Sequence, residues 1–119
     1  MITNFEEHTY ELSSEEMEIL QLVIHGFRAY KKTNPIKAEL IVKRMNIFLE
    51  NNGYKIRLTQ PRLRKLVNYI RSNSLIPLIA TSHGYFTTDC KLTIQQQIIS
   101  LQERANSIEN AVQGLKKFL

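Results

Sequence analysis

The 119-residue chain has no tryptophan, one cysteine, three prolines and four glycines. With Cys90 alone, neither an intrachain disulfide nor a zinc site of four thiolates can form within one chain. Gly26, Gly53, Gly84 and Gly114 are too scattered to cradle a phosphate, and no GxSxG, HExxH or Walker-type run occurs. His8, His25 and His83 fall in three separate regions, which argues against a metal site. No stretch of about 18 apolar residues is present, and the acidic opening MITNFEEHTYELSSEE lacks the basic start and apolar block of a secretory leader. The expectation is a soluble, intracellular, non-enzymatic protein with no membrane span, no cofactor and no metal.

What the sequence does have is an uneven charge. Residues 1 to 33 hold three basic against six acidic side chains, a net of −3. Residues 34 to 91 hold ten basic against three acidic, a net of +7, and the remainder carries +1. A basic middle suits a polyanion, because each neutralised phosphate releases condensed counterions.

Periodicity divides the chain into four helices and a hairpin. Ser13 and Glu16 form a capping-box pattern ahead of Met17, Leu20, Val23, Ile24, Phe27 and Tyr30, predicting a first helix from Ser14 to Lys31. Glu15, Glu16 and Glu18 read as surface charges that complement its dipole. Thr33-Asn34-Pro35 stops it, and Ile36 stands alone as a candidate for a very short strand. From Lys37, the residues Ala38, Ile41, Val42, Met45, Phe48 and Leu49 share one face, and Asn51-Asn52-Gly53 ends the second helix near Glu50.

After a linker from Tyr54 to Leu58, Thr59 is the expected N-cap of a third helix with Pro61 in its first turn. Leu63, Leu66, Val67 and Ile70 form its apolar stripe. Pro61, Lys65, Asn68 and Ser72 point away from that stripe, Arg62, Arg64 and Tyr69 flank it, and Arg71 is placed to serve the scaffold. The polar face reads either as a nucleic-acid contact or as the ordinary solvated side of a core helix. Next, PLIATSHGYFTT changes period and predicts strands Leu78 to Thr81 and Tyr85 to Thr88 around Ser82-His83-Gly84. Tyr85 and Phe86 fall on opposite faces, one toward the helices and one nearer solvent.

From Thr93, the residues Ile94, Ile98, Leu101, Ala105, Ile108, Val112, Leu115 and Leu119 make an unbroken heptad seam. The flanking residues Gln97, Ile99, Arg104, Asn106, Ala111, Gln113 and Phe118 carry almost no complementary charge, arguing against a charge-steered heterodimer. Self-association, with a dimer favoured, and packing on the first helix both remain open. The expected division is a tail at 1–12, a domain at 13–91 and this helix at 92–119.

The succession IKAELIVKRMN, LTQPRLRKLVNYIR, PLIATSHGYFTT resembles the winged helix-turn-helix family of phage and bacterial DNA-binding proteins. Pro77-Leu78-Ile79, Ser82, Gly84 and Tyr85 match its wing pattern, whereas the stretch Glu50 to Leu58 exceeds the short turn of the family's compact members. The resemblance implies a mainly α fold with a small β-hairpin, double-stranded DNA as partner, and a cytoplasmic location in a bacterial or phage-infected cell. The third helix would enter the major groove with Gln60, Arg62, Arg64, Lys65 and Asn68 as candidate contacts. Thr59, Lys43, Arg44, Lys55 and Arg57 would add phosphate contacts, and Ser82 and His83 would approach the adjacent groove or backbone. Transcription regulation or a phage or plasmid DNA transaction follows as the expected role. The alternative is an adaptor or assembly module that keeps this scaffold and binds a protein through its C-terminal helix.

Overall fold

In a computed structural model the described residues are 11–119. The chain is mainly helical with one two-stranded antiparallel hairpin: α1 (Ser14–Arg28), α2 (Ala38–Asn51), α3 (Gln60–Ser72), β1 (Leu78–Thr81), β2 (Gly84–Thr87) and α4 (Lys91–Lys116). It divides into one unit ending at Thr88 and a second, Asp89–Leu119. The expected N-terminal tail lies, but for Glu11 and Leu12, outside the described residues.

α1 starts where its capping box places it: the Ser13 hydroxyl accepts from the Glu16 N–H at 3.1 Å, and the Glu16 carboxylate accepts from the Ser13 N–H at 2.9 Å. It ends at Arg28, three residues short of the expected Lys31. The cause is long-range, since the Tyr30 carbonyl accepts from the Thr87 N–H at 2.9 Å and so serves the hairpin instead of another helical turn. Leu20, Val23, Ile24 and Phe27 are buried as expected, together with Ile19, which the sequence pattern passed over. Met17, assigned to the core, is exposed.

In α2 the buried positions are Ile41, Met45 and Leu49. Phe48 was placed on that face but is 44 % exposed; with Leu40 and Ile47 it leaves an apolar strip on the outer side. The linker to α3 is no surface loop, because Ile56 and Leu58 point into the core while Lys55 and Arg57 face water. Asn46 fixes this alternation from α2: its Oδ1 accepts from the Leu58 N–H at 2.7 Å and its Nδ2 donates to the Leu58 carbonyl at 2.9 Å.

Thr59 caps α3 by accepting from the Arg62 N–H, and Leu63, Leu66, Val67 and Ile70 are buried. The isolated Ile36 pairs with Tyr85 through two backbone hydrogen bonds of 2.9 and 2.8 Å, a single bridge that acts as a third strand of minimal length. Gly84 makes this approach possible, with φ at +125° and a position where a Cβ would overlap the Ile36 carbonyl. Neither aromatic of β2 faces water. Tyr85 is half-buried and meets Phe27 edge-on at 5.4 Å, and Phe86 is buried with its cross-strand partner Ile79.

The second unit holds one helix, α4, which begins at Lys91, two residues before the expected Thr93. It ends at Lys116, so Leu119, the last expected seam residue, lies beyond the helix. None of the helices among the described residues is long and apolar enough to cross a membrane.

Candidate nucleic-acid interface

Of the six cations on or near α3, four (Arg62, Lys65, Arg71 and Arg57) are held by side-chain contacts among the described residues. Arg62 donates from Nε to Glu16 Oε2 at 2.9 Å and from Nη1 to the Arg57 carbonyl at 2.8 Å. Lys65 donates to Glu16 Oε1 at 2.7 Å, and its side chain is only 17 % exposed. The expectation that Lys65 projects outward is therefore corrected: its flexible stem folds back to a carboxylate buried on α1. Glu16, expected on the surface, is that carboxylate. Burial alone would push its carboxyl up from the ordinary 4.5, yet hydrogen bonds from Lys65, the Ser13 N–H and Arg62, with the Lys65 charge, bring the pKa down to about 2.

Arg71 donates from Nε to the Leu78 carbonyl at 3.0 Å, tying the end of α3 to β1 as its scaffold assignment anticipated. Arg57 turns back on its own linker, donating to the Tyr54 and Ile56 carbonyls. The Arg64 side chain, by contrast, is exposed and makes no hydrogen bond or ion pair among the described residues. Arg64 and Arg71 are seven positions apart, so they share one edge of α3, and that edge is the one facing the hairpin. Gln60 and Asn68 stand on either side of Arg64 along the helix, both exposed and both without a side-chain hydrogen bond to another described residue. The helical spacing sets Lys65 and Asn68 outward with Arg62 and Arg64 at the edges, whereas the structure leaves Arg64, Gln60 and Asn68 available and gives Arg62 and Lys65 to Glu16.

Of the outlying candidates, Lys43 and Lys55 are exposed without a described partner, while Arg44 donates to the Tyr30 hydroxyl at 2.6 Å. Thr59 is occupied as a cap. At the hairpin turn His83 is exposed, and the Ser82 carbonyl accepts from Lys37 Nζ at 2.7 Å. Lys37, which the sequence reading did not single out, thus brings a positive charge to the turn, where the turn residues themselves have only His83. Lys31 does the same at the base of the hairpin, donating to Thr87 Oγ1 at 3.2 Å. No local pattern marks either lysine, since their partners lie 45 and 56 residues away.

Elsewhere on this unit a shallow cleft of about 530 Å³ is lined by Glu15, Glu18 and the stretch Asn52 to Ile56. Its two carboxylates share the lining with Lys55, so this region of the unit carries charge of both signs. Among the described residues no group of His, Cys, Asp and Glu is arranged to hold a metal ion, and His8 lies outside them. Comparison with family models, curated proteins and solved structures finds no match.

Proposed function

We propose that this chain binds double-stranded DNA through the exposed edge of α3, as a small protein of winged helix-turn-helix type. The observation that carries the reading is the row Gln60, Arg64, Asn68: exposed, uncommitted, on one helix of the +7 segment, and on the edge that faces a hairpin. The order α1, Ile36 bridge, α2, α3, hairpin supports the winged type.

An α-helix fits the major groove, where an arginine can pair bidentately with guanine and Asn or Gln with adenine. Arg64, Asn68 and Gln60 take those roles. Lys43, Lys55, Lys37 and the start of α3 supply phosphate contacts, and His83 approaches the backbone beside the groove. Arg62 and Lys65 hold the helix in position through Glu16 and the Arg57 carbonyl. Transcription regulation, or a DNA transaction of a phage or plasmid, is the corresponding role.

A gel-shift titration of the full chain on random duplex tests this. Binding at about 50 mM salt that weakens steeply by about 200 mM is the expected result, and no shift at the lower salt sinks the proposal. The apolar strip Leu40, Ile47 and Phe48 on α2 favours a second reading, an adaptor that docks a protein. Under that reading Arg64→Glu leaves function intact, whereas under the first it abolishes duplex binding.

A further inference from the structure

We infer that α4 pairs with α4 of a second copy as a parallel, in-register, two-stranded coiled coil, held in that orientation by reciprocal Arg104 to Glu109 ion pairs. The unit that contains α4 has no other element, and its seam lies in water: Ile98, Leu101, Ile108, Val112 and Leu115 are 37 to 68 % exposed. A single helix draws most of its stability from packing an apolar face, so a 26-residue helix with such a stripe calls for a partner.

The register identifies that partner. The spacing puts Ile94, Leu101, Ile108 and Leu115 at d, and Ile98, Ala105 and Val112 at a. The two flanks of the seam are then Gln95, Gln102, Glu109 and Lys116 at e, and Gln97, Arg104, Ala111 and Phe118 at g. This corrects the expectation of almost no complementary charge, which left out Glu109 and Lys116. β-branched Ile98 and Val112 at a with Leu101 and Leu115 at d favour two strands. Ile94 and Ile108 at d pull toward higher order, but the polar e flank keeps the apolar stripe too narrow to be shared among three or four helices.

In a parallel in-register pair, each g residue meets the e residue of the partner's following heptad. Arg104 then faces Glu109 of the second copy, twice by the two-fold symmetry, and Ala111 faces Lys116 without conflict. An antiparallel pair of full overlap sets Arg104 against the second copy's Arg104 near the dyad, which is repulsive. Among the described residues of its own chain Glu109 is bonded along its own helix, to Gln113 Nε2 at 2.8 Å, and meets no cation. Since α4 follows the hairpin directly, parallel pairing tethers both copies of the first unit at the same end of the coil. The inference stands apart from the DNA reading, because it rests on α4 alone.

Light scattering and cross-linking on the full chain test it. The wild type should have the mass of two chains. Arg104→Glu and Glu109→Arg should each weaken the dimer about tenfold, and the double variant that exchanges both charges should restore it. Cys90, the exposed residue before α4, reports direction: parallel pairing brings two thiols to one end, where a short bismaleimide links them. Antiparallel pairing separates them by about 39 Å, at about 1.5 Å per residue over 26 residues. A monomeric or higher-order mass, a dimer that resists cross-linking at Cys90, or a charge exchange that fails to rescue would each overturn the inference.

Discussion

Glu16 carries the tightest knot of the first unit, accepting from the Ser13 N–H, Lys65 and Arg62 at once. Its lowered pKa ties stability to pH with a definite sign. The group contributes fully above the ordinary carboxylate value of 4.5 and loses its contribution as the pH falls toward about 2, where the folded protein takes up the proton. At about 1.4 kcal/mol per pH unit the whole effect is about 3 kcal/mol. Glu16→Gln should therefore cost about 2 kcal/mol at neutral pH and flatten the acid limb of a plot of Tm against pH; an unchanged limb contradicts the assignment. The same logic separates two neighbouring cations. Lys65→Met should lower stability by about 1 to 2 kcal/mol because it strips a buried carboxylate of a partner, while Arg64→Ala should stay within about 0.5 kcal/mol in a urea melt.

Among the elements, the hairpin depends on one glycine and the linker on one asparagine. Gly84→Ala drives a methyl group into the Ile36 carbonyl at a backbone angle that L side chains rarely adopt. It should cost more than about 2 kcal/mol and shift the urea midpoint accordingly. Asn46→Ala removes both bonds to the Leu58 backbone and should cost about 1 to 3 kcal/mol. These two devices mark the limit of what could be read from sequence. The capping box at Ser13, the Thr59 cap, the apolar stripe of α3 and the hairpin were legible because each is written within a few adjacent residues. The Asn46 clamp, the shortened end of α1 and the exposure of Phe48 were not, because they depend on residues brought together only by folding.

For the molecule as a whole, the charge map marks a basic segment but does not say which of its cations are spoken for. Glu16 lies 46 residues from Arg62 and 49 from Lys65, so its claim on them leaves no trace in local pattern. Once that claim is counted, Arg64, Lys43 and Lys55 are among the exposed cations of the basic segment with no described side-chain partner, and Lys37 adds a charge at the hairpin turn. With about four phosphates neutralised per chain, the logarithm of the affinity should fall with the logarithm of salt at a slope of about −3.6, roughly 150-fold between 50 and 200 mM.

In the proposed DNA complex Arg64 on the exposed edge of α3 is a contact, while Arg62 and Lys65 serve the fold through Glu16. Fluorescence anisotropy on a labelled duplex at about 50 mM salt, with wild type, Arg64→Ala and Lys65→Met compared at a temperature where all three are folded, separates these two roles. Arg64→Ala should weaken binding about tenfold or more and lower the salt slope by about one, whereas Lys65→Met should bind nearly as wild type. Equal losses for the two variants, or a loss confined to Lys65→Met, would contradict the proposal.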